Sequence, residues 1–155
     1  MARAYRADHV GSLLRPRELL DARRDPGVTR EQLTAIEDRH ILDVLKRQQT
    51  AGLGIFTDGE LRRTSFMSDF YESVDGLDRD YEPDRSWKGA PSGVGAVKGI
   101  GAPGGAVVAR IRQTRRLTKH EVDFLKPHAP GDIKMTLPTA NQFPAIAYKK
   151  GSSPK

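Results

Sequence analysis

Ala51-Gly-Leu-Gly-Ile-Phe-Thr-Asp-Gly-Glu-Leu-Arg-Arg63 is the stretch on which the fold turns. Residues 53–57 form a short apolar run, too short for a helix and followed at once by Asp58-Gly59-Glu60, so they read as a strand with polar residues just past its C-terminal end. The segment before it is a helix. Thr29-Arg-Glu-Gln32 has the capping-box pattern, in which the threonine hydroxyl and the glutamine side chain each satisfy the other's backbone N–H. Leu33, Ile36, Ile41, Val44 and Leu45 follow at helical spacing, and Ala51-Gly52 ends the helix. A strand after a long helix points to a β-α-β unit and a parallel sheet.

Outward from this core the alternation continues. Residues 5–12 predict a strand leading into a loop, and Arg15-Pro16-Arg17-Glu18-Leu19-Leu20 opens a helix with Pro16 at its first position, where a missing N–H costs nothing. Pro26-Gly27 stops that helix. Residues 64–74 predict a helix with Phe66, Met67, Phe70, Tyr71 and Val74 as its apolar set. Residues 75–105 are polar and rich in Gly and Pro, and predict a long irregular excursion. A strand over 106–111, a helix capped by Thr118 that runs through Leu125 and ends at Pro127, and a strand over 133–137 complete the order. Pro138-Thr139-Ala140-Asn141 forms the loop at the end of that last strand. This α/β pattern fits either a small open sheet or the first half of a (β/α)8 barrel, which usually needs about 250 residues.

Composition excludes several classes. Hydrophobic residues make up 37% and charged residues 30% of 155, as expected for a folded soluble chain. No apolar run approaches the roughly 18 residues of a bilayer span, and no apolar region follows the basic start, so a cytoplasmic protein without a membrane partner is expected. There is no cysteine, hence no disulfide and no thiolate metal ligand. The net charge of +6 comes from basic residues scattered among 20 acids, and no recognised nucleic-acid motif accompanies them, so nucleic acid is not an expected partner.

Polar residues gather at three predicted strand ends: Asp8-His9-Val10-Gly11-Ser12, Thr57-Asp58-Gly59-Glu60 with Arg62 and Arg63, and Thr136-Leu-Pro-Thr139 with Asn141. In a parallel α/β fold the carboxyl ends of the strands line the active-site face. Gly11 and Gly59 would let backbone approach a ligand, Ser12 offers a hydroxyl and an N–H, and the Glu60 carboxylate suits an ammonium. Ordinary turn chemistry explains the same residue types equally well, with Glu60 then a surface glutamate paired with Arg62 or Arg63. Gly99-Ile-Gly101-Ala-Pro-Gly104 spells a dinucleotide fingerprint in the wrong context, with no strand before it and Pro103 inside it. Among the histidines only His9 lies at a strand end. Glu37 and His40 read as a helix-surface pair, His120 and His128 lack ligand spacing, and Arg110-Ile-Arg112 with Arg115, Arg116 and Lys119 reads as a solvated basic edge.

Arg6-Ala-Asp-His-Val-Gly-Ser-Leu-Leu-Arg-Pro16 resembles the opening strand motif of the cobalamin-independent methionine synthase family, and residues 51–63 resemble its second strand and Gly-Glu motif. Val122-Asp-Phe-Leu125 and Lys134-Met-Thr-Leu-Pro138 resemble the later helix and strand, most closely in the single-barrel, methionine-synthase-II-like members. The resemblance implies the N-terminal part of a TIM barrel over residues 1–148, with a disordered tail at 149–155. It implies an S-methyltransferase of methionine biosynthesis whose acceptor is homocysteine and whose donor is a methyltetrahydrofolate polyglutamate. It maps Gly11 and Ser12 to the amino-acid site and Glu60 to the amino group of homocysteine, and His9, the histidine at the strand end, is a substrate-binding candidate beside them. The runner-up readings are a relative with another thiol acceptor such as coenzyme M, and a vestigial half-barrel without catalysis.

The family's chemistry uses zinc held by a histidine, two cysteines and a glutamate of the C-terminal half. No catalytic residue is expected within these 155 residues, and the chain alone is expected to be inactive, with self-association through open strand edges. The purified chain should hold no stoichiometric zinc, because it has no thiolate and no clustered histidines. Elemental analysis finding one tightly held zinc per chain would overturn this.

Overall fold

The computed structural model describes residues 9–80, 106–139 and 147–148. In chain order the elements are α1 (Arg17–Ala22), α2 (Arg30–Thr50), β1 (Ile55–Phe56), α3 (Ser68–Glu72), β2 (Val74–Asp78), β3 (Ala106–Gln113), α4 (Lys119–His128), β4 (Asp132–Ile133) and β5 (Ala147–Tyr148). The chain is α/β and divides into two compact units, Met1–Thr64 with Thr118–Thr136 and Ser65–Leu117 with Leu137–Lys155. Residues 5–8 of the first predicted strand, the glycine pattern at 99–104, Asn141 and the tail at 149–155 lie outside the described residues. Among the described residues no closed barrel is present, and no helix is long and apolar enough to cross a membrane.

The first unit is built around α2. Its capping box forms as expected: the Thr29 hydroxyl accepts from Gln32 N–H at 3.2 Å, and the Gln32 side chain accepts from Thr29 N–H at 2.8 Å. Gly52, at φ +77°, takes the chain out of the helix in a conformation that suits glycine. The expected parallel pairing appears between β1 and β4, with Ile55 opposite Asp132 and Phe56 opposite Ile133, while no strand precedes α2 among the described residues. Both strands are shorter than expected. Lys134 N–H still donates to the Phe56 carbonyl at 2.8 Å, so the ladder continues one bond beyond the pair. Leu19, Ile41, Leu45, Phe56, Leu61 and Leu125 form the buried core, with Leu33, Ile36 and Val44 of α2 packed against it. Each fully buried leucine or isoleucine contributes roughly 1.5–3 kcal/mol of transfer free energy.

Several boundaries differ from the expectations. Pro16 is the N-cap of α1 rather than its first helical residue. Residues 9–12 are not strand. Thr118 stands at the N-cap of α4 with φ +56° and makes no side-chain cap bond; its carbonyl instead accepts from Val122 N–H at 2.9 Å. The helix runs through Pro127 to His128, because Ala129 N–H donates to the Leu125 carbonyl at 2.8 Å and closes the turn that proline cannot.

The second unit departs further. The helix expected over 64–74 shortens to α3, and Val74 instead starts β2, where an irregular excursion was expected. Strand β2 pairs antiparallel with β3, with Val74 opposite Gln113 and Asp78 opposite Ala106, and the register slips between Asp75 and Leu77. Gly76 sits in that irregularity at φ +93°, where a Cβ would come within 2.8 Å of the Arg110 carbonyl oxygen. The glycine that weakens the strand signal in the sequence is the residue that the bulge requires. Met67, Tyr71 and Val107 form the core of this unit, and β5 adds to β3 in parallel.

The end of β1 is held by one side chain. Gln48 of α2 is buried, and its amide accepts from Thr57 N–H at 3.0 Å and donates to the Thr57 carbonyl at 2.8 Å. Gln48→Leu keeps the volume but leaves both backbone groups buried without a partner, which costs about 2–4 kcal/mol. Urea denaturation should show that loss, and an unchanged midpoint would mean that the clamp carries no stability.

Candidate functional site at the end of β1

Residues 57–63 form a turn written by side chains onto backbone. Thr57 Oγ1 accepts from Gly59 N–H at 3.2 Å, and Asp58 Oδ1 accepts from Glu60 N–H at 3.0 Å. Gly59 and Glu60 are both left-handed, at φ +67° and +57°, and Leu61 N–H closes the turn on the Asp58 carbonyl at 3.4 Å. For a glutamate this conformation costs about 1–2 kcal/mol. Such strain persists where the surroundings over-determine it, and it is a pointer to function.

The turn places Glu60 inside the protein, 3% exposed, which removes the surface-glutamate reading. Its Oε1 accepts from the Thr136 hydroxyl at 2.5 Å and lies 3.9 Å from Arg63 Nη1. A Cβ on Gly11 would come within 2.9 Å of the same Oε1 and 3.2 Å of the Thr136 methyl, so Gly11 is the open wall beside this carboxylate. The 9–15 segment is laid along the turn by Leu13 N–H, which donates to the Gly59 carbonyl at 3.0 Å, and by Arg15, which donates to the Arg63 carbonyl at 3.1 Å and the Glu60 carbonyl at 3.3 Å. The structure thus brings Gly11 and Glu60 together. His9 is half-buried, and its carbonyl accepts from Lys134 Nζ. Ser12 is exposed.

Arg63 fixes the far end of the turn. Its guanidinium is buried and donates to both Glu121 oxygens at 2.6 and 2.7 Å, to the Thr136 carbonyl at 2.9 Å and to the Thr136 hydroxyl at 3.3 Å. Arg62 turns the other way, onto Glu37 at 3.4 Å, Asp38 and the face of the Phe124 ring. Glu37 is fully buried and also accepts from Arg23 at 3.0 Å, so it is not half of a helix-surface pair with His40. His40 instead meets Glu18 at 2.9 Å. Sequence reasoning placed Arg63 and Thr136 among the polar residues of the strand ends without giving either a role, and it passed over Glu121. Thr136 had a signal in its strand-end position, whereas Glu121 reads as an acid in the first turn of a helix and nothing marks its partner.

Burial pushes the Asp58 carboxyl up to about 6, helped by the negative charge of Glu121 and opposed by the Glu60 N–H and by Arg63 and Arg62. Burial also works against the Arg63 charge, but the Glu121 hydrogen bonds and the charges of Glu121, Glu60 and Asp58 outweigh it and hold Arg63 above its ordinary value. Asp58, Glu60 and Glu121 thus stand among the guanidinium groups of Arg63, Arg62 and Arg15. An open cleft of about 770 Å³ lined by α1 and α2 includes Arg15 but not Gly11, Glu60 or Thr136. Among the described residues no group of three or more His, Asp or Glu could hold a metal ion, so these residues do not fit a zinc site.

The raised Asp58 value carries a sign. The native state holds the Asp58 proton more tightly than the unfolded chain, so this group's contribution to stability is present at low pH and is lost as pH rises from about 4 to about 6. Asp58→Asn has no such titration. The stability difference between the Asp58→Asn variant and the wild-type chain should therefore shift by about 2–3 kcal/mol in favour of the variant between pH 3.5 and pH 7.5. Urea unfolding of both proteins across this range checks it, and a constant difference would mean an ordinary Asp58.

No family model matches the chain. The uncharacterized proteins YxjH and YxjG of Bacillus subtilis are 43% and 42% identical to it over 77 residues, which is 48% of this chain and 20% of each relative. Among solved structures it is similar to a Listeria monocytogenes protein provisionally described as a vitamin-B12 independent methionine synthase, with a TM-score of 0.66 and 27% identity over 94% of this chain and 40% of that one. It shares the fold of a B12-independent methionine synthase from Shewanella sp. W3-18-1, solved with selenomethionine, at a TM-score of 0.60 and 23% identity over 79% of this chain and 33% of that one. The family resemblance read in the sequence is thereby borne out: the structural relatives of this chain are B12-independent methionine synthase-like proteins, which it matches over a part of their length.

Proposed function

We infer that the chain is the N-terminal part of a (β/α)8 barrel that binds an amino-acid thiol, homocysteine, for S-methylation in methionine biosynthesis. The observation that carries this reading is Glu60, a carboxylate buried at the end of a parallel strand, held in a strained backbone conformation and walled by a glycine. The Thr136 hydroxyl occupies Oε1, and the other oxygen is the one offered to the ligand ammonium. In this reading the ligand carboxylate takes the backbone N–H groups of Gly11 and Ser12, as the family resemblance implies. An ammonium–carboxylate contact of this kind is worth about 1.5–3 kcal/mol when partly desolvated.

The methyl donor in this reading is a methyltetrahydrofolate polyglutamate, and the zinc ligands lie outside these 155 residues. The work of this chain is to bind and orient the amino acid, and no step of methyl transfer is assigned to its residues. In a barrel completed with the C-terminal half of a relative, Glu60→Gln should lower kcat/KM for homocysteine by roughly tenfold or more, with fold and zinc content unchanged. Unaltered homocysteine kinetics would move the amino-group site away from Glu60, to His9 and Ser12.

A further inference from the structure

Asp58 is the other buried acid of the turn. It is 1% exposed and faces the Glu121 carboxylate of α4, the Arg62 and Arg63 guanidinium groups of its own turn, and Arg15 of the segment laid along it. Its Oδ1 accepts from the Glu60 N–H at 3.0 Å and from the Thr57 hydroxyl at 3.4 Å, while its Oδ2 is buried with no hydrogen-bond partner among the described residues. A carboxylate satisfied on one oxygen only, in a place where an asparagine or serine could make the same turn bond, is a poor choice for stability. Its immediate neighbour in the hydrogen-bond chain is the residue that occupies the strained conformation.

We propose that Asp58 is the positioning residue of this site, holding the Glu60 amide and with it the left-handed turn that presents the Glu60 carboxylate to the amino group of an amino-acid ligand. The proposal rests on the amino-acid reading of the site. Burial outweighs the Glu60 N–H as an influence on this carboxyl, so the closed turn is firmest when Asp58 is neutral and loosens as Asp58 ionises. The Asp58 charge lies two residues from Glu60 and adds to the attraction for an ammonium. With its carboxyl pushed up to about 6, Asp58 gives up the charge within the physiological range, so the attraction for the ammonium weakens while the turn tightens as pH falls from about 7 to about 5.

Two measurements on the 155-residue chain test this. Equilibrium dialysis with radiolabelled L-methionine, which carries the amino and carboxyl groups without an oxidisable thiol, reads the site. Hydrogen exchange of the peptide spanning residues 58–63, corrected for intrinsic rates, reads the turn without ligand. Wild-type affinity should fall roughly fivefold between pH 7.5 and pH 5 as the charge beside Glu60 is lost, while protection of the Glu60 amide should rise. Asp58→Asn keeps the acceptor and loses the titration, so it should sit at the wild-type pH 5 level of binding and protection at every pH. Asp58→Ala should lose both, and urea unfolding checks that it still folds. If Asp58→Asn keeps the wild-type pH dependence, or if Asp58→Ala leaves Glu60 protection intact in a folded chain, the positioning role is wrong. If the wild-type chain takes up no L-methionine at either pH, the amino-acid reading fails, and the exchange measurement still decides whether Asp58 holds the turn.

Discussion

The Arg63 guanidinium is the constraint on which the first unit depends. It is buried, always charged, and must find an acceptor for every N–H it takes out of water. Glu121 supplies a two-pronged partner and Thr136 supplies two more oxygens, so one side chain ties the turn after β1 to α4 and to the segment after β4. The Arg63 carbonyl in turn accepts from Arg15 and Arg23, which brings in the 9–15 segment and the end of α1. Removing either member of the Arg63–Glu121 pair would leave an uncompensated charge in the interior, a loss of about 3–5 kcal/mol. Replacing both with apolar residues would cost less, so the pair is retained for geometry more than for stability.

What could be read in the sequence follows from range. The Thr29–Gln32 capping box, the glycine exit at Gly52 and the apolar run at 53–57 are local signals, and they survive folding nearly unchanged. Glu60 and Gly11 could be singled out because strand ends collect ligands, though only the structure brings the two together. Arg63 stands out by its place at the strand end, but its partner Glu121 lies 58 residues away and nothing local distinguishes it from the chain's many solvated charges. Strand β2 was hidden for another reason. Its sequence, Val-Asp-Gly-Leu-Asp, lacks the β-branched run of a strand because a bulge and an opposed Asp75–Arg112 position supply what side-chain propensity does not. Glu37 was misplaced because a helix-surface pattern cannot show that two arginines from elsewhere cover it.

The turn after β1 concentrates features that stability alone would avoid. A glutamate in a left-handed conformation, a buried aspartate with an unsatisfied oxygen and a desolvated guanidinium all lie within residues 58–63. The core beneath them, by contrast, is ordinary leucine, isoleucine and phenylalanine. That division, with a conventional scaffold and a costly strand end, is the pattern expected where a polar site must be held ready for a ligand.

The 2.9 Å between a Cβ at position 11 and the Glu60 carboxylate has an evolutionary meaning. The constraint falls on position 11: a side chain there meets the Glu60 carboxylate and the Thr136 methyl, so the carboxylate must shift or shorten before the glycine can be replaced. The two positions are therefore epistatic in one direction: the acid at 60 can change while glycine stays at 11, whereas an alanine at 11 is best accommodated once the acid has shortened or turned aside, which orders the two changes in a lineage.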